Sequence, residues 1–135
     1  MTIQDTLQDL NELFSIFDNP KDKLIQLMDL AKNSDVLSEE EKIDKNKIYG
    51  CTAQAWVIAT PIDEKTFKFR TDSDAMIVKG LLTLLEKIFN GQPANNIQNI
   101  DSKYILDSIG LDGLITNQRT NGFSKAVEKI QGIIR

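Results

Sequence analysis

The apolar residues of the N-terminal segment recur every three or four positions: Ile3, Leu7, Leu10, Phe14 and Phe17. This spacing places them on one face of an amphipathic helix. A second helix is predicted after Asn19-Pro20, because proline is tolerated at the first helical position and not in a helix interior. The segment 34–50 has few apolar residues and no clear period, so we expect it to form a mobile approach to the residues that follow.

Strand-like patterns in the middle of the chain predict a hairpin. Residues 54–60 are rich in Trp, Val and Ile, residues 66–70 alternate with period two, and Pro61 begins the segment between them. Because two strands alone are marginally stable, we expect a third, for which residues 47–49 are the best candidate. The predicted sheet is an antiparallel meander of about three strands, with Gly50-Cys51 at its first turn.

Helical spacing returns in the second half of the chain. Asp72-Ser73-Asp74 predicts a helix N-terminus, and Asn90-Gly91 predicts the end of the same helix. The other predicted elements are a short helix after Pro93, a helix over 102–109, an extended segment over 111–117 and a helix over 120–134. Helices on either side of one compact sheet favour an α+β fold, and the length of 135 residues favours a single domain over residues 1–135.

Composition removes several classes of chemistry. The chain has no histidine and one cysteine, Cys51. Without histidine there is no Ser-His-Asp triad, no Cys-His nucleophile pair and no imidazole metal site. A lone cysteine excludes an internal disulfide, a CxxC redox pair and a multi-thiolate metal site within one chain. No acidic calcium-binding loop occurs either, so we expect neither a metal nor a cofactor.

Charge and hydropathy narrow the choice of partners. The 16 Lys and Arg against 20 Asp and Glu give a net charge of −4, which argues against binding to a nucleic-acid backbone. The longest apolar stretches, 56–59 and 80–85, are far shorter than the ~20 residues of a membrane span. The first residues are polar and acidic, unlike a signal peptide. With an unpaired thiol, these features predict a cytoplasmic protein with no membrane association.

Cys51 is the one side chain with strong nucleophilicity near neutral pH, a property of its thiolate form. A small buried hydrophobe is the alternative interpretation. Gly50 favours a functional thiol, because it leaves room for a second sulfur, and the pair lies at a predicted turn. A thiolate attacks the outer sulfur of a persulfide by the displacement that drives thiol–disulfide exchange. The residues therefore favour sulfur transfer.

Three motifs resemble those of SufE-type sulfur acceptors: IYGCTAQAW at 48–56, DSDAMIVKGL at 72–81 and ITNQRTNGF at 115–123. They occur in the order and spacing of that family, and the similarity extends over nearly the whole chain. The sequence departs from the family pattern at Ala53, Ala55 and Gln118, where Ser, Val and Ser are usual.

The resemblance implies an α+β fold related to the IscU-type scaffold, with helices packed on an antiparallel sheet. It implies that Cys51 accepts sulfane sulfur from a PLP-dependent cysteine desulfurase of the SufS or CsdA type and raises the turnover of that enzyme. It also implies an Fe–S scaffold such as SufBCD as the next acceptor. The protein is then a sulfur carrier and activator, not itself an enzyme.

Gly50, Asp74 and Arg119 are the candidate supporting residues. Arg119 is expected to place a cation near the thiolate, to pair with Asp74 across the cysteine loop, or to be an exposed residue without function. Asp74 is interpreted as a helix cap or as a contact to the partner, and Asn121-Gly122 as backbone geometry near the last helix. The alternative function is a non-catalytic adaptor. A cluster scaffold is disfavoured, because one thiolate supplies too few of the roughly four ligands required.

Overall fold

The structure, a computed structural model, describes all 135 residues and confirms an α+β fold. Six helices pack with a small antiparallel sheet; the elements are α1 (Ile3–Ser15), α2 (Pro20–Lys32), β1 (Ala55–Pro61), β2 (Phe67–Ser73), α3 (Met76–Phe89), α4 (Ala94–Gln98), α5 (Ser102–Ile109) and α6 (Asn117–Ile133). A 3-10 turn over Asp44–Asn46 lies in the segment before the cysteine. None of the helices has the length and apolar character needed to cross a membrane.

The sheet has two strands, so the expectation of about three is wrong. The antiparallel register runs from Ala55 opposite Ser73 to Pro61 opposite Phe67. The predicted third strand is reduced to one bridge between Lys47 and Trp56, beside a hydrogen bond of 2.8 Å from the Ile48 N–H to the Ala55 carbonyl. A 3-10 turn ends just before Lys47 and another turn begins at Tyr49, so no further residues remain to extend the pairing.

Helix α3 lies at the centre of the molecule. Ten of its 14 residues are buried, and it packs against α1, α2, α6 and β2. Apolar residues cover most of its circumference, and Lys79 and Thr83 of the remaining polar stripe are buried as well, so the helix lies in the interior of the protein. Its residues Val78, Leu81 and Leu82 face Cys51, so the core helix also forms one wall of the candidate site.

The buried surface of α3 includes an ion pair. The Nζ atom of Lys79 lies 3.6 Å from the Glu86 carboxylate and also donates to the carbonyl oxygens of Thr71 and Asp35. The Thr71 hydroxyl donates to Glu86. Burial raises the pKa of Glu86 above its usual value, because the ionised form loses hydration, whereas the bonds from Thr71 and Lys79 act in the opposite direction. This network ties α3 to β2 and to the segment after α2.

The predicted cap at 72–74 is wrong. Helix α3 begins after Ala75, which makes no side-chain cap hydrogen bond, because Asp72 and Ser73 are still part of β2. The Asp72 carboxylate instead accepts from the Leu37 N–H at 3.1 Å, and the Ser73 hydroxyl oxygen accepts from the Ala75 N–H at 3.2 Å. Asp72 and Ser73 therefore pair in the sheet, although their local sequence favours the start of a helix.

Helix α6 begins earlier than predicted. Its first residue is Asn117, after Thr116, whose hydroxyl oxygen accepts from the Arg119 N–H at 3.3 Å. The segment 111–117, for which the sequence predicts an extended backbone, forms turns before this cap. The polar first turn of α6 hides the helical period from a sequence analysis. Arg119 and Gly122 consequently lie three residues apart on one face of α6.

Gly80 marks the closest approach of α2 and α3. A Cβ atom at this position would lie 2.5 Å from the Leu27 carbonyl oxygen and 2.8 Å from the Leu27 Cγ. We expect Gly80→Ala to lower the free energy of unfolding by ~1–3 kcal/mol, because a clash with backbone is not relieved by a rotamer change. Urea unfolding measures the effect. The matched control is Gly132→Ala in α6, where a Cβ meets nothing within 4 Å; stabilisation of both variants would contradict the close approach.

Candidate functional site

Cys51 lies in a short loop, residues 49–54, that leads into β1 (the cysteine loop). The hydrogen bond from Ile48 to Ala55 closes the base of this loop at 2.8 Å. Gly50 has a φ of +88°, in the left-handed region that residues with a Cβ rarely adopt. The glycine before the cysteine is thus required by the turn itself. The expectation that Gly50 leaves room for a second sulfur is wrong, because the stem of Lys125 fills the space that a Cβ at Gly50 would enter.

Asp74 and Ser73 hold the far end of the cysteine loop. The Asp74 carboxylate accepts from the Gln54 N–H at 3.1 Å, and the Asp74 N–H donates to the Gln54 carbonyl at 3.1 Å. The Ser73 hydroxyl donates to the same carbonyl at 2.7 Å. Three hydrogen bonds therefore fasten Gln54 to the junction between β2 and α3. A cap of α3, the first interpretation of Asp74, is not what the structure shows.

The Cys51 side chain is half-buried and packs against the hydrophobic core. Beside it is an enclosed space of about 10 Å³ with mostly apolar walls, formed by Ile48, Ala55, Val78, Leu81, Leu82 and Phe123. A space of this size holds one water molecule at most, and apolar walls offer such a water few partners. The thiol at rest is therefore shielded on its inner side from solvent.

Gly122 lies directly beneath the sulfur. A Cβ atom on this residue would be 2.9 Å from the Cys51 Sγ. Gly122 is buried inside α6 and has a negative φ, so it is not present for its backbone freedom. The interpretation of Asn121-Gly122 as backbone geometry is thus wrong for Gly122: what matters is the missing side chain. A glycine within a helical pattern indicates a close approach in general, but the sequence does not show which residue approaches it.

Arg119 lines the same space as Cys51, one turn before Gly122 on α6. It forms no salt bridge, and the predicted pair with Asp74 is not present, because the Asp74 carboxylate is bonded to the cysteine loop. Arg119 is half-buried and is the charged side chain among the apolar walls. In the structure, Gly50 and Cys51 therefore lie in the cysteine loop, Asp74 is hydrogen-bonded to the end of this loop, and Arg119 lines the space beside the thiol.

Five basic residues lie in the segment that leads into the cysteine loop and on α6, and they are called the basic rim: Lys45, Lys47, Arg119, Lys125 and Lys129. The stem of Lys125 covers Gly50, with its Cγ 2.9 Å from the position of a Cβ there, and its Nζ lies 3.4 Å from Glu128. The Lys129 Nζ donates to the carbonyl of Lys45 at 2.9 Å. This cluster contrasts with the net charge of −4 of the whole chain.

Tyr49 projects from the cysteine loop and is 62% exposed. The Nζ atom of Lys47 lies 5.7 Å from the centre of its ring, and its hydroxyl donates to the Asp44 carbonyl at 3.4 Å. An exposed aromatic residue beside cations is typical of surfaces that bind other proteins.

Comparison with known protein families gives a match over nearly the whole of this chain. The family model described as "SufE: Fe-S metabolism associated domain" matches residues 8–134. This chain belongs to the SufE family. The match confirms the resemblance found in the three sequence motifs, and it connects the protein to Fe–S metabolism.

Relatives within the SufE family come from bacteria and plants. An uncharacterized SufE-like protein of Rhizobium etli is 32% identical over 93% of this chain and 87% of its own length. One from Synechocystis is 33% identical over 96% and 80%. SufE-like protein 1, chloroplastic/mitochondrial, of Arabidopsis thaliana is 34% identical over 93% of this chain, which spans 33% of that longer protein.

A solved structure shares the SufE-family fold seen here. The solution structure of a hypothetical protein from Thermus thermophilus has a TM-score of 0.76, covering 96% of this chain and 93% of the other. The two sequences are 17% identical, so this likeness concerns the fold alone.

Removal of the Asp74 carboxylate is expected to loosen the cysteine loop. Asp74→Ala leaves the Gln54 N–H without its acceptor, so amide exchange at Gln54 accelerates, and stability falls by about 1 kcal/mol. Residue-resolved hydrogen exchange measures this change. Asp74→Asn keeps a side-chain carbonyl and is the matched control, with exchange near that of the parent. Unchanged protection of Gln54 in Asp74→Ala would show that the carboxylate does not hold the loop.

Proposed function

We propose that this protein accepts a sulfane sulfur on Cys51 from the persulfide of a PLP-dependent cysteine desulfurase of the SufS or CsdA type. It stimulates that enzyme and passes the sulfur to an Fe–S scaffold such as SufBCD. The observation that supports the proposal most strongly is the placement of the only thiol, half-buried on a loop that is held by hydrogen bonds at both ends. The proposed compartment is the cytoplasm, where thiols are kept reduced.

The proposed transfer needs one thiolate in the acceptor. The Cys51 sulfur attacks the outer sulfur of the donor persulfide, a new S–S bond forms on Cys51, and the S–S bond of the donor breaks. The donor cysteine leaves as a thiolate and takes up the proton that Cys51 released. No external oxidant or reductant takes part, because the sulfane sulfur only changes its carrier. The absence of histidine from the chain is compatible with this step.

Arg119 and Gly50 have supporting roles in the proposal. Arg119 lines the space beside the thiol and contributes a positive charge to the surface that meets the donor. Gly50 permits the turn that presents Cys51 to the surface. Asp74 anchors the other end, so that the loop moves as a unit between two fixed points.

Docking of the donor requires the cysteine loop to open. The space beside the thiol is about 10 Å³, which is too small to admit a persulfide from inside the molecule. The incoming sulfur must therefore approach from the solvent side, and the half-buried Cys51 side chain has to move outward. Hydrogen exchange of residues 49–54 is expected to accelerate when the desulfurase binds.

The decisive experiment is mass spectrometry of the protein after incubation with desulfurase, cysteine and PLP. We expect Cys51 to gain the mass of one sulfur atom, and a reductant to remove it. Cys51→Ser is the matched variant and should gain nothing. Absence of the added sulfur on the parent would refute the carrier role.

The same samples separate a carrier from an adaptor. An adaptor docks to the desulfurase without carrying sulfur, so it keeps its stimulation when Cys51 is replaced by serine or blocked by alkylation. A carrier loses stimulation under both treatments, because product sulfur no longer leaves the enzyme by this route. Retained stimulation in both cases would favour the adaptor.

The basic rim is expected to guide an acidic surface of the desulfurase to the loop. Lys45 is exposed, so Lys45→Glu should raise the half-saturating concentration for stimulation by roughly two- to fivefold at low ionic strength. The effect should fade as salt is added, because exposed charges are screened. Lys21→Glu, at the exposed start of α2, is the matched control for net charge. Equal effects of the two variants would show that the rim has no specific role.

A further inference from the structure

The sulfur of Cys51 lies where a side chain on Gly122 would have to be. A Cβ on Gly122 would be 2.9 Å from Sγ, 3.6 Å from the Cys51 Cβ and 3.8 Å from the Cys51 Cα. The last two distances are ordinary packing distances, whereas the first lies well inside the ~3.5–4.0 Å at which heavy atoms pack favourably. The sulfur atom alone therefore occupies the volume that a side chain at position 122 would fill.

The position of this glycine in α6 is otherwise unfavourable. Glycine is the poorest helix former after proline, and Gly122 lies in the helix interior with a helical backbone. Gly132, in the same helix, is exposed, and a Cβ there meets nothing within 4 Å. Gly122 thus weakens α6 at a buried position. The absence of a side chain there leaves room for the sulfur atom of Cys51.

We infer that Gly122 is a positioning residue, a seat for the thiol that sets how deeply Cys51 rests and how often it is available to react. The seat consists of Gly122 below the sulfur, with Val78 and Leu82 of α3 along its side. The effect of this seat on sulfur transfer rests on the proposed function, whereas the resting position of the thiol against Gly122 does not. A methyl group in the seat displaces the sulfur toward solvent, because the remaining space is only about 10 Å³.

The test is the rate at which iodoacetamide alkylates Cys51 in the folded protein. Gly122→Ala is expected to raise this rate by roughly tenfold, the shift that overpacking of a close contact produces in a two-state equilibrium. Gly132→Ala, the matched control in the same helix, should alkylate at the parent rate. An unchanged or slower rate in Gly122→Ala would overturn the inference.

Loss of global stability has to be separated from displacement of the sulfur. Alkylation through global unfolding accelerates steeply when urea is added, whereas alkylation of a displaced thiol in the folded protein is nearly independent of low urea concentrations. We expect the second behaviour in Gly122→Ala. A steep urea dependence at the increased rate would overturn the inference.

A double-mutant cycle keeps the inference testable if Gly122→Ala folds poorly. In a Cys51→Ala background the sulfur is absent, so Gly122→Ala should raise the unfolding midpoint or leave it unchanged, since alanine favours the helix. In the parent background the same substitution should lower the midpoint. Equal shifts in both backgrounds would show that Gly122 is not coupled to the sulfur.

The alkylation and sulfur-gain experiments give different results when the inference about Gly122 is wrong and when the proposed function is wrong. Faster alkylation of Gly122→Ala without any sulfur gain in the desulfurase reaction would support the seat and refute the carrier. Normal sulfur gain with unchanged alkylation would support the carrier and overturn the seat.

Discussion

Helix α3 has to be enclosed by other elements, because apolar side chains cover most of its surface, and this constraint determines how the rest of the chain packs. Helix α2 approaches it so closely that only glycine fits at position 80. Within α3, the buried Lys79 forms an ion pair with the partly buried Glu86, and the Thr71 hydroxyl is hydrogen-bonded to both. Its first turns form a wall of the space beside Cys51. The most buried element of the protein is thus in contact with its most reactive atom.

The main feature of the candidate site is a small loop whose two ends are held by hydrogen bonds to a surrounding frame of helices and strands. The cysteine loop is fastened at Ile48 by a bridge to β1 and at Gln54 by Asp74, whereas Cys51 between these points rests against Gly122 of α6. Few bonds have to break for the thiol to move outward, and the helices need not rearrange. Such a division suits the proposed transfer from another protein, because under that proposal the frame keeps the docking surface constant while the loop changes.

Local sequence predicted the features that depend on local spacing. Periodic apolar residues predicted α1, α2 and α3, and alternation predicted the β1–β2 hairpin, because each element faces the core with one regular surface. The third strand and the cap at 72–74 were wrong, since strand length and register depend on tertiary contacts. Cys51 was predictable as the only thiol. The anchor at Asp74 and the contact at Gly122 were not, because each joins residues far apart in the chain.

The apolar space beside the sulfur has a consequence for the working lifetime of the protein. A cysteine is driven irreversibly to sulfinic and sulfonic acids by peroxide, and its susceptibility follows its exposure. A half-buried thiol with room for one water at most on its inner side is less open to such damage than a fully exposed one. Under the proposed function, the outward movement that admits a sulfur atom also admits an oxidant. The fraction of time that the loop is open then affects both the rate of sulfur transfer and the rate of irreversible oxidation.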